Sequence, residues 1–328
     1  MNWSLILANV VGEFFSPITA AYVIAAIGLN VHFGLTGLLN MGQAGFMLVG
    51  AYGYAITTLA GHSAFLGLLV GLAAAVLFAL VLGVPTLRLR GDYLAIVTIA
   101  AAEIVRLVSR STSLTWLTGG NAGIAGKEFK QTFMDLCPFP EGNSTILWWT
   151  YPNCFSNSWF LRIVAWVLVG LFCLLVWRLM RSPWGRVLKG IREDEDAVRS
   201  LGKNVYSYKM QALVLGGVLG AIGGIVYVLP QAVQADSMGR PTTFFVWTLL
   251  LLGGAATVFG PVLGSVLLWS ALMLIRSVMR DVIPTTVLSS EQIEAFSLVA
   301  VGVTLMLLVI FRPQGILGDK KELAINVR

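Results

Sequence analysis

Long apolar runs separated by short polar turns repeat along this chain. Nine of them reach or approach the roughly 20 residues that a helix needs to cross the hydrocarbon of a bilayer. They are Pro17–Phe33, Gly42–Ala60, Ala64–Val84, Tyr93–Ser109, Phe160–Met180, Met210–Leu229, Thr242–Phe259, Pro261–Ile275 and Ile293–Phe311. The stretch Pro241–Ile275 has no charged residue. As one helix it would be about 50 Å long, too long for a hydrocarbon core of about 30 Å. Gly260-Pro261 is therefore read as a break between two helices. The run Trp3–Phe15 is short and contains Glu13, which suits either an interfacial helix or a tenth crossing. No Lys or Arg precedes it, so it does not read as a signal peptide. The pattern predicts an all-α polytopic membrane protein of about nine to ten transmembrane helices, forming one transmembrane domain over residues 1–328.

Composition supports this reading. Apolar and aromatic residues of the set AVILMFWYC make up 57% of the 328 residues and charged residues 12%. That is half the roughly 25% charge of soluble proteins, too little to cover a water-facing surface, which excludes a soluble enzyme or a disordered scaffold. The 35 glycines suit helices that pack closely in lipid. The net charge of +6 fits a basic excess in cytoplasmic loops. Nucleic-acid binding would need a basic face on a soluble domain, and no room remains for one.

The basic residues set the orientation. Arg88 and Arg90 mark the first cytoplasmic turn, which places 110–159 as an extracytoplasmic loop. Arg178 through Lys209, Phe259-Gly260-Pro261, and Arg312, Lys320, Lys321 and Arg328 then fall inside. Cys137 and Cys154 lie in the outer loop, where an oxidising compartment would allow a disulfide. Cys173 sits in an apolar run and reads as packing.

One polar segment is longer than a simple turn. Arg178–Lys209 holds eight basic and four acidic residues, and 181–209 reads as a cytoplasmic loop with a function of its own. Acids at Glu193–Asp196, a basic residue near the end and Gly202 after it describe one short capped helix over Glu193–Leu201. Ala197, Val198 and Leu201 give it a small apolar stripe. A helix this short needs a docking surface. Four consecutive acids are unfavourable beside an anionic leaflet, so the expected receiver is a protein.

The run Gly185-Arg186-Val187-Leu188-Lys189-Gly190-Ile191-Arg192-Glu193-Asp194-Glu195-Asp196-Ala197, with Leu201-Gly202, resembles the coupling loop of membrane subunits of ABC importers. More narrowly, the chain resembles permeases of the branched-chain (hydrophobic) amino-acid uptake family, of the LivM-like type. Three further blocks agree: Gly34–Phe46 continuing to Gly50-Ala51-Tyr52, Arg88–Thr98, and Phe311–Gly318. The resemblance implies an ABC importer permease fold of the type II-like class. It also implies a second homologous permease subunit, two cytoplasmic ATP-binding subunits, and an extracytoplasmic substrate-binding protein. The setting it implies is multi-pass, in membrane lipid of a bacterial plasma (inner) membrane. Arg192, Glu193, Asp194, Glu195, Asp196, Ala197, Leu201 and Gly202 would be the residues that couple to the ATPases. No phosphate-binding loop ending in Gly-Lys-Ser/Thr occurs, so the chain is expected to hold no cofactor and not to be an enzyme. ATP-Mg is expected on the partner ATPases.

A path for amino acids must hold ammonium and carboxylate briefly, and interrupted helices supply backbone ligands for that task. Two Gly-interrupted runs qualify, Gly34–Gly45 and Gly253-Gly254 through Gly264. Thr36, Asn40, Gln43, Gly45, Gly253 and Gly254 are candidates for the translocation path, with tight helix packing as the alternative. Glu103 is a further candidate, three residues before Arg106 and able to pair with it. His32 is expected to be a packed or interfacial residue. An ion-coupled transporter would need acids in several spans, and an intramembrane enzyme would need clustered His, Glu or Cys; neither pattern occurs. Urea or short-amide permeases of the same family remain the neighbouring reading.

Overall fold

In a computed structural model, the described residues are 3–87, 91–125, 128–140, 142–146, 149–155, 157–282, 289–312 and 314–318. Arg88, Leu89, Arg90, Pro313, Lys320, Lys321 and Arg328, which carried part of the orientation and two of the sequence blocks, lie outside them. Every one of the nine apolar runs supplies a helix. In chain order these are α1 (Trp3–Phe14), α2 (Pro17–Leu29), α3 (Gln43–Leu59), α4 (Ala64–Thr86) and α5 (Gly91–Arg110). After the short α6 (Thr115–Thr118) and α7 (Glu128–Met134) come α8 (Trp159–Arg181), α9 (Pro183–Glu193) and α10 (Glu195–Ser200). The chain continues through α11 (Val205–Val228), α12 (Arg240–Gly253), α13 (Gly260–Val282) and α14 (Ser290–Phe311).

Among the described residues, five helical stretches are long and apolar enough to cross a membrane: Pro17–Leu35, α4, α8, α11 and α13. At 17 and 14 residues, α3 and α12 are shorter. The shortness of α12 has a local cause. The expected break at Gly260-Pro261 falls earlier, over residues 254–259, and Pro261 instead occupies the second position of α13, where its missing N–H costs nothing.

The core forms around α2, nearly all of whose residues are buried. It packs against α8, α11, α12 and α13, while α11 also packs against α3 and α4. A Cβ at Gly216 would overlap the Gly28 carbonyl oxygen and the His32 ring, so glycine is what lets α11 approach α2 this closely. By contrast, α4 is apolar all round yet exposes Leu69, Leu77 and Val81, and α8 exposes Val167 and Leu171. Such outward apolar faces suit lipid rather than water.

One expectation is refined and one corrected. Within the helical fold, β1 (Asn143–Ile146) and β2 (Trp149–Pro152) form an antiparallel hairpin in the outer loop, pairing Asn143 with Pro152 and Ile146 with Trp149. That loop is anchored by Ile124 and Val233, whose N–H groups donate to each other's carbonyls at 2.8 and 3.0 Å. Also, the acidic run does not form a single helix over Glu193–Leu201. Asp194 is extended (φ −153°), ends α9 and starts α10, its carboxylate accepting from the Asp196 and Ala197 N–H groups. An aspartate is a stronger N-cap than helix-interior residue, so the run divides there. The expected apolar stripe divides as well: Val198 turns inward, whereas Ala197 and Leu201 are exposed.

Candidate functional site

α2 continues past Leu29 as a π-helical turn, Asn30–Leu35, and regular helix resumes only at Gln43. The polar residues of this first break close on one another. Asn40 Nδ2 donates to His32 Nδ1 at 3.0 Å and to Gln43 Oε1 at 3.2 Å, and Asn40 Oδ1 accepts from the Gly42 N–H at 2.8 Å. With Nδ1 accepting, His32 carries its proton on Nε2 and donates it to the Leu213 carbonyl of α11 at 3.0 Å. Gln43 Nε2 donates to the carbonyls of Ala25 and Gly216. Thr36 Oγ1 donates to the Val31 carbonyl. All four side chains are buried. Each donor and acceptor found here has its partner, so the network is a lock between α2, α3 and α11 rather than an open ligand surface.

The second break answers the first. Asn30 reaches across 226 residues of sequence, its Oδ1 accepting from Ala256 N–H at 2.8 Å and its Nδ2 donating to the Thr257 carbonyl at 2.7 Å. Ala256 has φ +63°, a left-handed conformation that costs a non-glycine residue free energy and needs such a hold. Trp247 of α12 donates to the Asn40 carbonyl at 3.0 Å, and Thr243 caps Ala44 N–H at 3.1 Å. Gly253, at the end of α12, accepts from the Leu317 N–H at 3.0 Å, and Leu252 accepts from Ile316 at 2.9 Å. The Gly315–Gly318 part of the fourth sequence block therefore seats on the second break. Gly45 packs against Ala102 of α5.

The cytoplasmic segment 181–209 touches this centre. Arg192, at the end of α9, donates from Nη1 to the Gly34 carbonyl, and its stem packs on Gly37, whose φ of +74° is a left-handed conformation that favours glycine. Asp194, Asp196, Ala197, Leu201 and Gly202 stay on the exposed side; Glu195 is bridged to Arg199 at 2.9 Å and to Lys209.

Glu103 is not part of the break. It pairs with Arg106 through two hydrogen bonds of 3.1 and 2.6 Å, and Arg106 and Arg110 both pair with Asp236. This cluster ties α5 to the segment after α11. Cys137 and Cys154 are disulfide-bonded, with Cα atoms 5.7 Å apart, and Cys173 is reduced and buried.

A family model described as the permease component of the branched-chain amino acid transport system matches residues 15–310. The chain belongs to that family. Within it, the chain is 35% identical over 322 residues to the high-affinity branched-chain amino acid permease LivM of Escherichia coli, covering 92% of this chain and 69% of that protein. A probable branched-chain amino acid permease LivM of Methanocaldococcus jannaschii is 25% identical over 91% of each chain. A nucleoside ABC transporter permease, NupC of Lactococcus lactis, is 25% identical over 61% of each. Like other members of this permease family, the chain is a membrane protein.

Sequence reasoning singled out the first break but not Asn30, which holds the second one. Its signal was available: a carboxamide inside a long apolar run, one turn before Gly34. The reach of Arg192 had no such signal, because nothing local relates it to a carbonyl 158 residues away.

Proposed function

We propose that this chain is the permease subunit of an ATP-driven ABC importer for branched-chain or other hydrophobic amino acids. It lies in a bacterial plasma membrane with about nine to ten crossings, as one transmembrane domain with outer loop 110–159 and cytoplasmic loop 181–209. It pairs with a homologous permease, two ATPase subunits that hold ATP-Mg, and an extracytoplasmic binding protein. The observation that carries the reading is the contact of Arg192 with the Gly34 carbonyl. A motion imposed on Arg192–Gly202 from the cytoplasm reaches the first helix break directly, and through Asn30 the second. The path runs along these breaks, past Thr36, Asn40, Gln43, Gly45, Gly253 and Gly254, and opens when their mutual hydrogen bonds part; Glu103 stands at its outer end. This is rigid-body alternating access, with the nucleotide sites on other chains.

The test is leucine uptake into proteoliposomes that contain the co-purified complex, with trapped ATP and no ion gradient. Uptake under those conditions is expected. Uptake that needs an ion gradient and proceeds without any ATPase subunit would refute the reading.

A further inference from the structure

At the end of the molecule away from Arg192, a cavity of about 770 Å³ opens between α1, α2, α11, α12 and α13, within the size range of ligand sites. Its floor is aromatic. The Tyr22 ring lies 4.9 Å from Trp269 and 5.7 Å from Tyr227, and Phe245 stacks on Trp269 at 5.9 Å. Its wall carries one charged residue of each sign, Glu13 at the end of α1 and Arg276 on α13, both half-buried. A third charged residue at the rim, Asp236, is already held by Arg106 and Arg110.

We infer that this cavity is the site where the permease receives its substrate, a zwitterionic α-amino acid with an apolar side chain. The inference rests on the importer reading above and adds the place and the chemistry of recognition. A guanidinium takes a carboxylate through a fork of two donors. A carboxylate and the faces of tyrosine and tryptophan take an ammonium group. An aromatic floor takes a branched aliphatic side chain without any directional demand. A zwitterion presents its ammonium to Glu13 and its carboxylate to Arg276, so binding leaves the net charge of the site unchanged. One charged contact at each end, without a closed cage, keeps binding weak enough for release.

The position also explains how occupancy could reach the breaks. Tyr22 lies eight residues before Asn30 on α2, and Phe245 lies eight residues before Gly253 on α12. Each is about 12 Å of helix from its break. A ligand wedged between these two rings acts on the two helices whose far ends Asn30 clamps together.

The experiment uses the complete reconstituted importer, charged with binding protein loaded with either radiolabelled L-leucine or L-alanine. Arg276→Gln is expected to lower leucine uptake by about tenfold or more, the loss of one charge-assisted pair, and Arg276→Lys to recover only part of it, because an ammonium keeps the charge but not the two-donor fork. Phe245→Ala is expected to shift the leucine-to-alanine uptake ratio toward alanine by about tenfold. The same binding protein serves every variant, so its own preference cancels in that comparison. Should Phe245→Ala fail to assemble, Phe245→Leu carries the same test with a smaller expected shift. Wild-type uptake of leucine with unaltered rates and ratios in the variants overturns the cavity assignment alone. Failure of the wild type to take up either amino acid overturns the importer reading itself.

Discussion

Replacing Asn30 by alanine removes the clamp between the two helix breaks, and its cost follows from the structure. The Ala256 N–H is buried and loses its only partner found here; the Thr257 carbonyl is partly buried and loses a second bond. An orphaned buried donor costs about 1–3 kcal/mol and a lost partly buried hydrogen bond about 0.5–1.5 kcal/mol. The sum, near 2–4 kcal/mol, understates the effect if Ala256 then leaves its left-handed conformation. At roughly 2 °C per kcal/mol for a long chain, the midpoint of heat-induced loss of monodisperse protein in detergent should fall by about 4–8 °C. Gly34→Ala supplies the control. A Cβ there would overlap Asn30 Oδ1 and press on Ala256 N, so it breaks the same clamp from the other side. Once Asn30 is truncated, part of that overlap is gone, and the double variant should be less destabilised than the two single effects added together, by about 1–2 kcal/mol. A midpoint within 1 °C of wild type for Asn30→Ala, or strict additivity in the double variant, would refute the clamp.

Further outcomes follow from other parts of the structure. Arg192→Ala removes the contact with the Gly34 carbonyl and is expected to leave the fold intact while ATP hydrolysis proceeds with little uptake; normal ratios of transport to hydrolysis would contradict that role. Gly216→Val forces α11 away from α2 and should cost about 2–5 kcal/mol, visible as lost expression of folded protein, whereas Gly302→Val, with nothing near its Cβ, should be silent. Replacing Cys137 and Cys154 together by serine frees a loop of 17 residues. Limited proteolysis should then cut the outer loop faster, because closing a loop of that length is worth about 3 kcal/mol, with the membrane helices unaffected. Equal cleavage rates would show that the hairpin and the Ile124–Val233 bridge hold the loop without the disulfide.

Most of the architecture was legible from the chain alone. The nine apolar runs predicted nine helices because the bilayer requires each crossing to satisfy its backbone internally, and length and polarity report that requirement directly. The polar segment Arg178–Lys209 stood out because it holds twelve of the 38 charged residues. What local pattern could not decide was where a run stops being regular and what it meets. α2 and α4 are both apolar all round, yet one is the centre of the core and the other faces outward, since lipid and protein interior ask for the same residues. The second break lies at 254–259 instead of at Gly260-Pro261 because Asn30, far away in sequence, supplies the hydrogen bonds that make it affordable. The aromatic cavity likewise exists only once α1, α2, α11, α12 and α13 are side by side. Hydrophobicity is a property of each residue and can be read in one dimension; the pairing of Asn30 with Ala256, and of Arg192 with Gly34, belongs to the packed chain.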